Sequence, residues 1–297
     1  MEFGRLNHDD FNPEVPPLSV ASPGQRTEGG PYPDLFVGAP KWRQASWKPW
    51  YQDMPKGESE LRRYSRLMNT VELNSTYYAV PQPEQIIKWR REVEDRHFRF
   101  CPKVPRAISQ APGPAKAGML LNFVERVGLF GRHLGPCFLQ LPEHLSFEKW
   151  EPLKKLLAYW PSEISLQVEM RHPSWFESYS HIDLWAGAFT EMKIGTVIND
   201  TPGRRDVLHQ QVPTGRLLVR IVGSNSESLD RQRLIHWHKR LRNQLKGEAH
   251  LILHFQDEKS IPKILSECIA QESKAQCSML EHPVLNYTGG PHGSLFH

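Results

Sequence analysis

The chain alternates between short hydrophobic runs and longer segments whose hydrophobic residues recur at helical spacing. The short runs have strand length and are mostly rich in β-branched or aromatic residues. They predict eight strands, at 35–39, 69–74, 98–104, 137–142, 165–171, 195–200, 217–223 and 250–256. The helical pattern predicts seven helices, at 58–68, 83–93, 115–130, 147–160, 181–192, 230–245 and 259–271.

This alternation of strands and helices predicts a parallel sheet that is covered by helices. Eight repeats in about 250 residues match the size of a (β/α)₈ TIM barrel, an α/β fold, which is the predicted fold class. An open doubly wound sheet is the alternative, but no glycine-rich phosphate-binding motif accompanies it. The connection at 201–216 has room for little or no helix, so we expect an irregular loop there.

The two ends of the chain lack hydrophobic periodicity. Residues 1–33 hold six prolines and four glycines, and residues 281–297 combine Gly, Pro and His without a regular pattern. Such segments bury too little apolar surface to offset the entropy of ordering. We therefore expect a disordered arm at 1–33, one barrel domain at 34–280 and a flexible tail at 281–297.

Composition narrows the class of protein. The chain has 37 Lys and Arg against 33 Asp and Glu, far from the single-sign excess of a dedicated nucleic-acid binder. No hydrophobic run reaches the length of a membrane span, and the amino terminus lacks the apolar core of a signal peptide. The four cysteines include no C-x-x-C pair, which favours free thiols over a disulfide framework or a zinc site. We expect a cytoplasmic protein with no membrane partner, and the oligomeric state stays open.

The segment "VEMRHPSWF" (168–176) shows how polar groups are placed at the strand ends. Glu169 and Arg171 share one face of the predicted strand, while Val168 and Met170 share the other. The polar face is expected to point into the barrel near its C-terminal rim, where barrel enzymes assemble their active sites. Other strands end in the same way. The polar residues expected at this rim are Glu72, Asn74, Lys103, Gln140, Glu169, Arg171, His172, Asp200, Arg220 and His254.

Each of these residues also has a structural interpretation. Glu169 and Arg171 can simply pair with each other, and an isolated Gln or Asn can satisfy backbone groups. His172 precedes Pro173 and can cap the turn. The convergence of seven strands on one rim is what favours a functional site.

At these residues the chain resembles the YecE-like family, catalogued as domain of unknown function 72. The matching stretches, in the family's order and spacing, are "MNTVELNSTYY" (68–78), "FRFCPKVPRAIS" (98–109), "LGPCFLQLPEHL" (134–145) and "VEMRHPSWF" (168–176). The resemblance implies a TIM barrel but no reaction, because the family has no generally established activity. The family usually follows its first strand with a Ser-Gly-Trp turn. Here "GAPKW" retains Gly38 and Trp42, and Trp42 is a candidate ligand contact.

The cations of the rim favour an anionic ligand. Ammonium and guanidinium groups suit phosphate or carboxylate, and the set comprises Lys103, Arg171, Arg204, Arg205 and Arg220. Adjacent arginines usually point apart, so at most one of Arg204 and Arg205 is expected to enter the pocket. We expect a small, phosphate-bearing substrate.

The carboxylates Glu72 and Glu169 come from strands two and five, on roughly opposite sides of an eight-stranded barrel. Across a pocket they could act as acid and base, and Asp200 is the third catalytic candidate. In this hypothesis Lys103 and Arg171 hold the ligand while the two glutamates face it. Carboxylates kept for chemistry can be neutralised with little loss of stability, so Glu169→Gln and Glu72→Gln are expected to melt near or above the parent.

Two alternatives stay open. The first is a non-catalytic protein that binds nucleic acid or another polyanion, which a steep dependence of affinity on salt would reveal. The second is a metal-dependent barrel of the isomerase or endonuclease type. No H-E-x-x-H spacing occurs and many cations would compete with a metal, so we expect neither a metal nor a cofactor. The possible ligands for a metal are Glu72, Glu169, His172, Asp200 and His254.

Overall fold

The computed structural model describes residues 19–20, 34–52, 54–224, 226–255, 261 and 263–265. Within these ranges, eight parallel strands form one curved sheet with helices on its outer side. The strands are β1 (Asp34–Ala39), β2 (Thr70–Leu73), β3 (Arg99–Pro102), β4 (Cys137–Gln140), β5 (Leu166–Glu169), β6 (Gly195–Asp200), β7 (Arg216–Val222) and β8 (Glu248–His254).

Helices occupy most of the connections between these strands. The longer ones in the described ranges are α2, α4, α6, α7, α8 and α9, and short helical turns follow β1, β2 and β3. The helix bounds are α1 (Lys48–Tyr51), α2 (Glu60–Leu67), α3 (Ser75–Tyr78), α4 (Pro83–Glu92), α5 (Arg106–Ser109), α6 (Ala117–Gly128), α7 (Trp150–Leu157), α8 (Tyr179–Glu191) and α9 (Glu227–Gln244).

The order of the strands in the sheet follows the chain and returns to its start. The strands β4, β5, β6, β7 and β8 lie side by side in that order, and β8 pairs with β1. β1 pairs in turn with β2, and β2 with β3. Between β3 and β4 the ladder is reduced to two bridges, Phe100–Leu134 and Lys103–Phe138. Gly135 N–H and Val104 N–H donate across this junction, at 2.7 and 2.9 Å. The sheet thus closes on itself, and the predicted (β/α)₈ barrel is confirmed.

Side-chain alternation divides the apolar residues of the barrel into two cores. The inner core is a small cluster inside the barrel: Cys101, Phe138, Val197, Leu218 and Ile252. The outer core lies between the sheet and the helices and includes the alternate strand residues, among them Val168 and Met170. A residue's parity along its strand therefore decides whether it faces the interior or a helix. The polar strand ends with inward parity stand above the inner core.

The junction of β1 with β2 shows how side chains complete a short ladder. The hydroxyl of Tyr64 accepts from Ala39 N–H at 2.8 Å and donates to Thr70 O at 2.7 Å. Asn69 Oδ1 accepts from Val37 N–H at 2.7 Å. A Cβ atom on Gly38 would lie 1.9 Å from Thr70 O, so only glycine permits the two strands to approach so closely.

All eight predicted strands are present. Some of them end one or two residues earlier than predicted. After β4, which ends at Gln140, Pro142 follows and cannot donate to a ladder. The connection at 201–216 contains no α-helix, as predicted. It holds a 3₁₀ turn (Arg205–Val207) and a two-residue strand (Gln211–Val212) that pairs with Ser19–Val20.

Several predicted features fall outside the described residues. Apart from the Ser19–Val20 pairing, these are the arm at 1–33 and the tail at 281–297, together with most of the helix at 259–271. In the described part of the chain, no helix is both long enough and apolar enough to cross a membrane. Cys101 and Cys137 are buried free thiols.

Candidate functional site

A cluster of buried charges fills the C-terminal end of the barrel interior, centred on Arg220 of β7. The Arg220 guanidinium is fully buried and donates to both central carboxylates. Its Nε lies 2.8 Å from Glu72 Oε2, and its Nη1 lies 3.0 Å from Glu169 Oε2. One cation thus separates the two carboxylates. We call the following residues the rim cluster: Glu72, Asn74, Lys103, Gln140, Glu169, Arg171, Asn199, Arg220 and His254.

Glu169 accepts hydrogen bonds from three side chains. Besides Arg220, Gln140 Nε2 donates to both of its oxygens at 2.9 and 2.8 Å, and Asn199 Nδ2 donates to Oε1 at 2.5 Å. Arg171 Nε lies 3.5 Å from Oε1. Burial acts to raise the pKa of Glu169, but Arg220 and Arg171 outweigh it and hold that pKa below its ordinary value. Glu169 is therefore an ionised and fully engaged carboxylate at neutral pH.

Glu72 is held in the same way on the opposite side of the Arg220 guanidinium. Asn74 Nδ2 donates to Glu72 Oε1 at 2.7 Å, and His254 Nε2 lies 3.0 Å from Oε2. Burial works against ionisation, yet Arg220 and His254 keep the pKa of Glu72 well below its ordinary value. Burial also lowers the pKa of His254, so its imidazole is neutral at pH 7.

Lys103 differs from the other cations of the rim cluster. Its Nζ donates to Gln140 Oε1 at 2.8 Å and lies 4.4 Å from the centroid of the Tyr77 ring. Among the described residues, no carboxylate oxygen lies within 4.0 Å of this ammonium, although the side chain is only 6% exposed. Burial, and next the positive charge of Arg220, lower the pKa of Lys103 to about 8. Lys103 is thus a buried cation that no carboxylate of the described residues contacts directly, and Glu72 and Glu169 act on its charge from a greater distance.

The Lys103 and Arg220 side chains rest on the inner core. Phe138 lies beneath both, with its ring centroid 5.7 Å from Lys103 Nζ and 5.7 Å from Arg220 Cζ. The aromatic rings of Phe138 and Tyr77 limit the water available to the Lys103 ammonium, which explains its strong desolvation.

An outer ring of charge lies above the rim cluster. Arg171 Nη2 lies 3.2 Å from Glu143 Oε1, and Arg204 Nη1 lies 3.6 Å from Glu143 Oε2. Arg204 Nη2 also donates to the carbonyl oxygen of Arg171 at 3.0 Å. The Glu143 side chain is 53% exposed, so this ring faces solvent.

Asp200 is not part of the rim cluster, and the prediction that it faces the barrel interior is wrong. Asn199 has inward parity, so the next residue of β6 points to the helices. Asp200 Oδ2 accepts from Trp237 Nε1 at 2.8 Å, and its Oδ1 lies 3.1 Å from Arg233 Nη2. Arg205 Nη1 also lies 2.5 Å from Oδ1. Asp200 thus binds helix α9 to the sheet.

Trp42 is also remote from the rim cluster. It packs edge-on against Trp89 of α4 and Phe100 of β3, with ring centroids 5.2 and 6.5 Å away, in the outer core. The chain turns outward after β1, which places the indole against the helices, so the structure does not bring this candidate ligand contact to the site. His172 adopts the structural interpretation, because its Nδ1 accepts from Ser174 N–H at 3.2 Å and caps the turn. The adjacent arginines point apart, since Arg204 lies in the outer ring beside Glu143 whereas Arg205 binds Asp200.

Two residues of the site escaped the sequence analysis. Asn199 shares its face of β6 with Gly195 and Val197, and Asp200 shares the other with Thr196 and Ile198, so the sequence does not show which face is the inner one. Glu143 follows β4 in a loop, where no periodic rule applies. In the described ranges, no three His, Cys, Asp or Glu side chains come together in a way that could hold a metal ion.

The loop after β7 is a frequent phosphate-binding element in barrels of this type. Here Ser224 N–H donates to both oxygens of the Asp230 carboxylate, at 2.9 and 3.0 Å. Arg233 Nη1 lies 2.9 Å from the same carboxylate. The chain's own anion therefore occupies this backbone donor, and Lys103 is the better candidate for an external anion.

Comparison with known proteins gives one consistent family. The family described as "Protein of unknown function DUF72" matches residues 36–280. The UPF0759 protein YecE from Escherichia coli strain K12 is 26% identical over 257 residues, covering 78% of this chain and 90% of that protein. The UPF0759 protein YecE from Escherichia coli O157:H7 gives the same values.

Solved structures show the same fold. A crystal structure of a DUF72 family protein from Enterococcus faecalis V583 at 2.52 Å resolution has a TM-score of 0.59 and 16% sequence identity, covering 79% of this chain and 96% of that one. A second structure at 3.10 Å resolution has a TM-score of 0.60 and 17% identity, covering 86% and 97%. Both support the barrel architecture.

Proposed function

The chain belongs to the DUF72 family, and we propose that it is an enzyme that binds a small anionic substrate at the C-terminal rim of its barrel. The observation that carries this proposal is the buried Lys103 ammonium, which no carboxylate of the described residues contacts directly. A buried ammonium is costly unless an anion or good acceptors surround it. Here the described acceptor is one neutral amide, Gln140.

The charge balance of the rim cluster supports the same proposal. Glu72 and Glu169 contribute two negative charges, whereas Lys103, Arg171 and Arg220 contribute three positive charges. Among the buried side chains alone this leaves one positive charge in excess, and Arg171 shares its charge between Glu169 and the solvent-facing Glu143. A phosphate or carboxylate group beside Lys103 would complete the balance.

The arrangement changes the roles that we assign to the glutamates. Both are ionised, with lowered pKa values, and the Arg220 guanidinium lies between them. A carboxylate with a low pKa is a weak base at neutral pH, and an ionised one is no acid. We therefore assign Glu72 and Glu169 to positioning Arg220 and its neighbours. Proton transfer then falls to Lys103, whose pKa of about 8 lies nearer to neutrality.

Burial of the cations argues for a small ligand over a polyanion. Arg220 is fully buried and Lys103 is 6% exposed, so the backbone of a nucleic acid could not approach either one. A nucleic-acid binder would present its lysines and arginines on an open surface.

Calorimetric titration with inorganic phosphate and with oxalate tests the proposal. We expect the parent to bind one or both, and Lys103→Met to weaken that binding by at least ~10-fold, because it removes a charge-assisted contact. Lys155→Met is the matched control, since it removes the same charge from an exposed position on α7. Affinity should fall only weakly with salt. Equal binding by parent and Lys103→Met, or a steep power-law dependence on salt, would contradict the proposal.

A further inference from the structure

We propose that Lys103 is a nucleophile that forms an imine with a small carbonyl compound bearing a carboxylate or phosphate group. This inference rests on the proposed function, since it places a reaction at the same anion site. It identifies the substrate class as anionic aldehydes and ketones, such as 2-oxo acids and phosphorylated aldehydes. The ligand's anion is held beside the Lys103 nitrogen while its carbonyl carbon is attacked.

The first support is the position of Lys103 within the barrel. Among the lysines of the described ranges, Lys103 is the one that is buried, and it stands at the rim, above the inner core. Its neighbours come from strands on both sides of the barrel.

The second support is the orientation of the Gln140 amide. Gln140 Nε2 donates to the Glu169 carboxylate, so its Oε1 is turned to Lys103 Nζ. The amide therefore stands between the ammonium and the Glu169 carboxylate. A lysine used only as a counter-ion would pair with the carboxylate directly.

The third support is the electrostatic surroundings of the amine. Desolvation and the neighbouring Arg220 disfavour the ammonium form and outweigh Glu72 and Glu169, which favour it. Desolvation and a neighbouring cation also activate nucleophilic lysines in other enzymes. With a pKa of about 8, half of the side chains carry a free amine at pH 8. An exposed lysine with an ordinary pKa has only roughly one amine in 300 at that pH.

The reaction is balanced without a further reagent. The Lys103 ammonium loses one proton to solvent, and the free amine adds to the carbonyl carbon to give a carbinolamine. That intermediate takes up the proton and loses its oxygen as water, which leaves a protonated imine on Nζ. The sum is one ammonium and one carbonyl compound giving one iminium ion and one water. The positive charge stays on Nζ, beside the ligand's anion.

Reductive trapping tests the proposal directly on the full chain. The protein is incubated with pyruvate or with glyceraldehyde 3-phosphate, reduced with sodium borohydride, and mapped by peptide mass spectrometry. We expect a reduced adduct on Lys103 that forms at least ~10-fold faster than on Lys155. The rate of adduct formation should rise with pH, with its midpoint near the lowered pKa of Lys103. Inorganic phosphate should protect Lys103, and acetone, which lacks an anion, should label it more slowly.

The outcomes separate the two proposals. No adduct on Lys103, or labelling that follows lysine exposure, overturns the imine. Phosphate binding that is lost in Lys103→Met without any trapped adduct leaves the anion site standing and removes the nucleophile. Labelling by acetone as fast as by pyruvate overturns the substrate class. The peptide map of the parent decides these points even if a variant fails to fold. The Lys103→Arg variant keeps the positive charge, so it should bind phosphate but form no adduct.

Discussion

Arg220 carries the electrostatics of the rim because one guanidinium serves two buried carboxylates. Glu72 and Glu169 lie 148 and 51 residues from it in sequence, and both are buried. Their charges persist only because Arg220 and the neighbouring donors compensate for lost hydration. The stability of the three residues is therefore coupled.

This coupling gives an expectation opposite to the one drawn from the sequence. Neutralising Glu169 leaves Arg220 and Arg171 with one buried carboxylate fewer, so we predict that Glu169→Gln lowers the free energy of unfolding by about 3–5 kcal/mol. Urea denaturation at pH 7 measures the change. Glu143→Gln removes the same charge from a half-exposed side chain and should cost less than about 1 kcal/mol. A Glu169→Gln variant as stable as the parent would restore the view that Glu169 is kept for chemistry.

Most residues of the rim cluster could be predicted from the alternation of side chains along the strands. Glu169, Lys103 and Gln140 were found in this way because each ends a strand with inward parity. The alternation does not reveal which of the two polar neighbours Asn199 and Asp200 has the inward parity, because both faces of β6 carry an apolar residue before them. Nor does it predict that a cation would fill the space between the two glutamates.

At the scale of the elements, Asp200 fixes helix α9 to strand β6. Its carboxylate receives hydrogen bonds from Trp237 and Arg233 of α9, and Arg233 is fully buried. Arg233 Nη2 also donates to Asp200 O at 2.6 Å. The helix is thus held by ionic contacts in addition to its apolar face.

We predict that Asp200→Asn lowers the free energy of unfolding by about 3–5 kcal/mol, because it leaves the buried Arg233 with less compensating charge. Phosphate binding and Lys103 trapping should be unchanged at temperatures where the variant stays folded, since Asp200 lies outside the rim cluster. Thermal melts and calorimetry on the same samples measure both. If Asp200→Asn were to abolish phosphate binding while the protein remains folded, the assignment of Asp200 to the outer side of β6 would be wrong.

The strands and long helices were predictable because their hydrophobic periods persist over many residues. The short helices α3 and α5 were not predicted, since four residues are too few to establish a helical period. Both follow strands whose ends carry site residues, and Tyr77 of α3 covers Lys103. The elements closest to the site are therefore the ones that the sequence pattern describes least well.

At the scale of the whole molecule, the barrel follows from repeated alternation, but its interior depends on contacts between distant segments. Eight strand–helix units leave few arrangements with parallel strands and short right-handed connections. The inner core and rim cluster instead combine residues from nearly every strand. Their composition is readable from parity, whereas their pairing requires the geometry of the closed sheet.

Buried histidines make the stability of the whole molecule depend on pH. Burial lowers the pKa values of His133, His250 and His254, and it lowers the pKa of His209 to about 4. His209 Nε2 donates to Val197 O at 3.1 Å, so its Nδ1 is the acceptor for Gln211 N–H at 3.3 Å. Protonation of Nδ1 would place its N–H group against the N–H group of Gln211.

The unfolded chain binds a proton at each histidine near pH 6.5, whereas folded His209 resists protonation until about pH 4. The unfolded state thus binds more protons in this window, and stability falls as the pH falls from 6.5 to 4. We predict that His209 alone accounts for a loss of about 3 kcal/mol across that window. Urea denaturation at pH 7, 5.5 and 4.5 should show a shallower loss in His209→Gln than in the parent, although the variant is less stable at pH 7. His144→Gln, at an exposed position, is the control and should keep the parent's dependence of stability on pH. A His209→Gln variant that also keeps this dependence would show that folded His209 is protonated within this pH window.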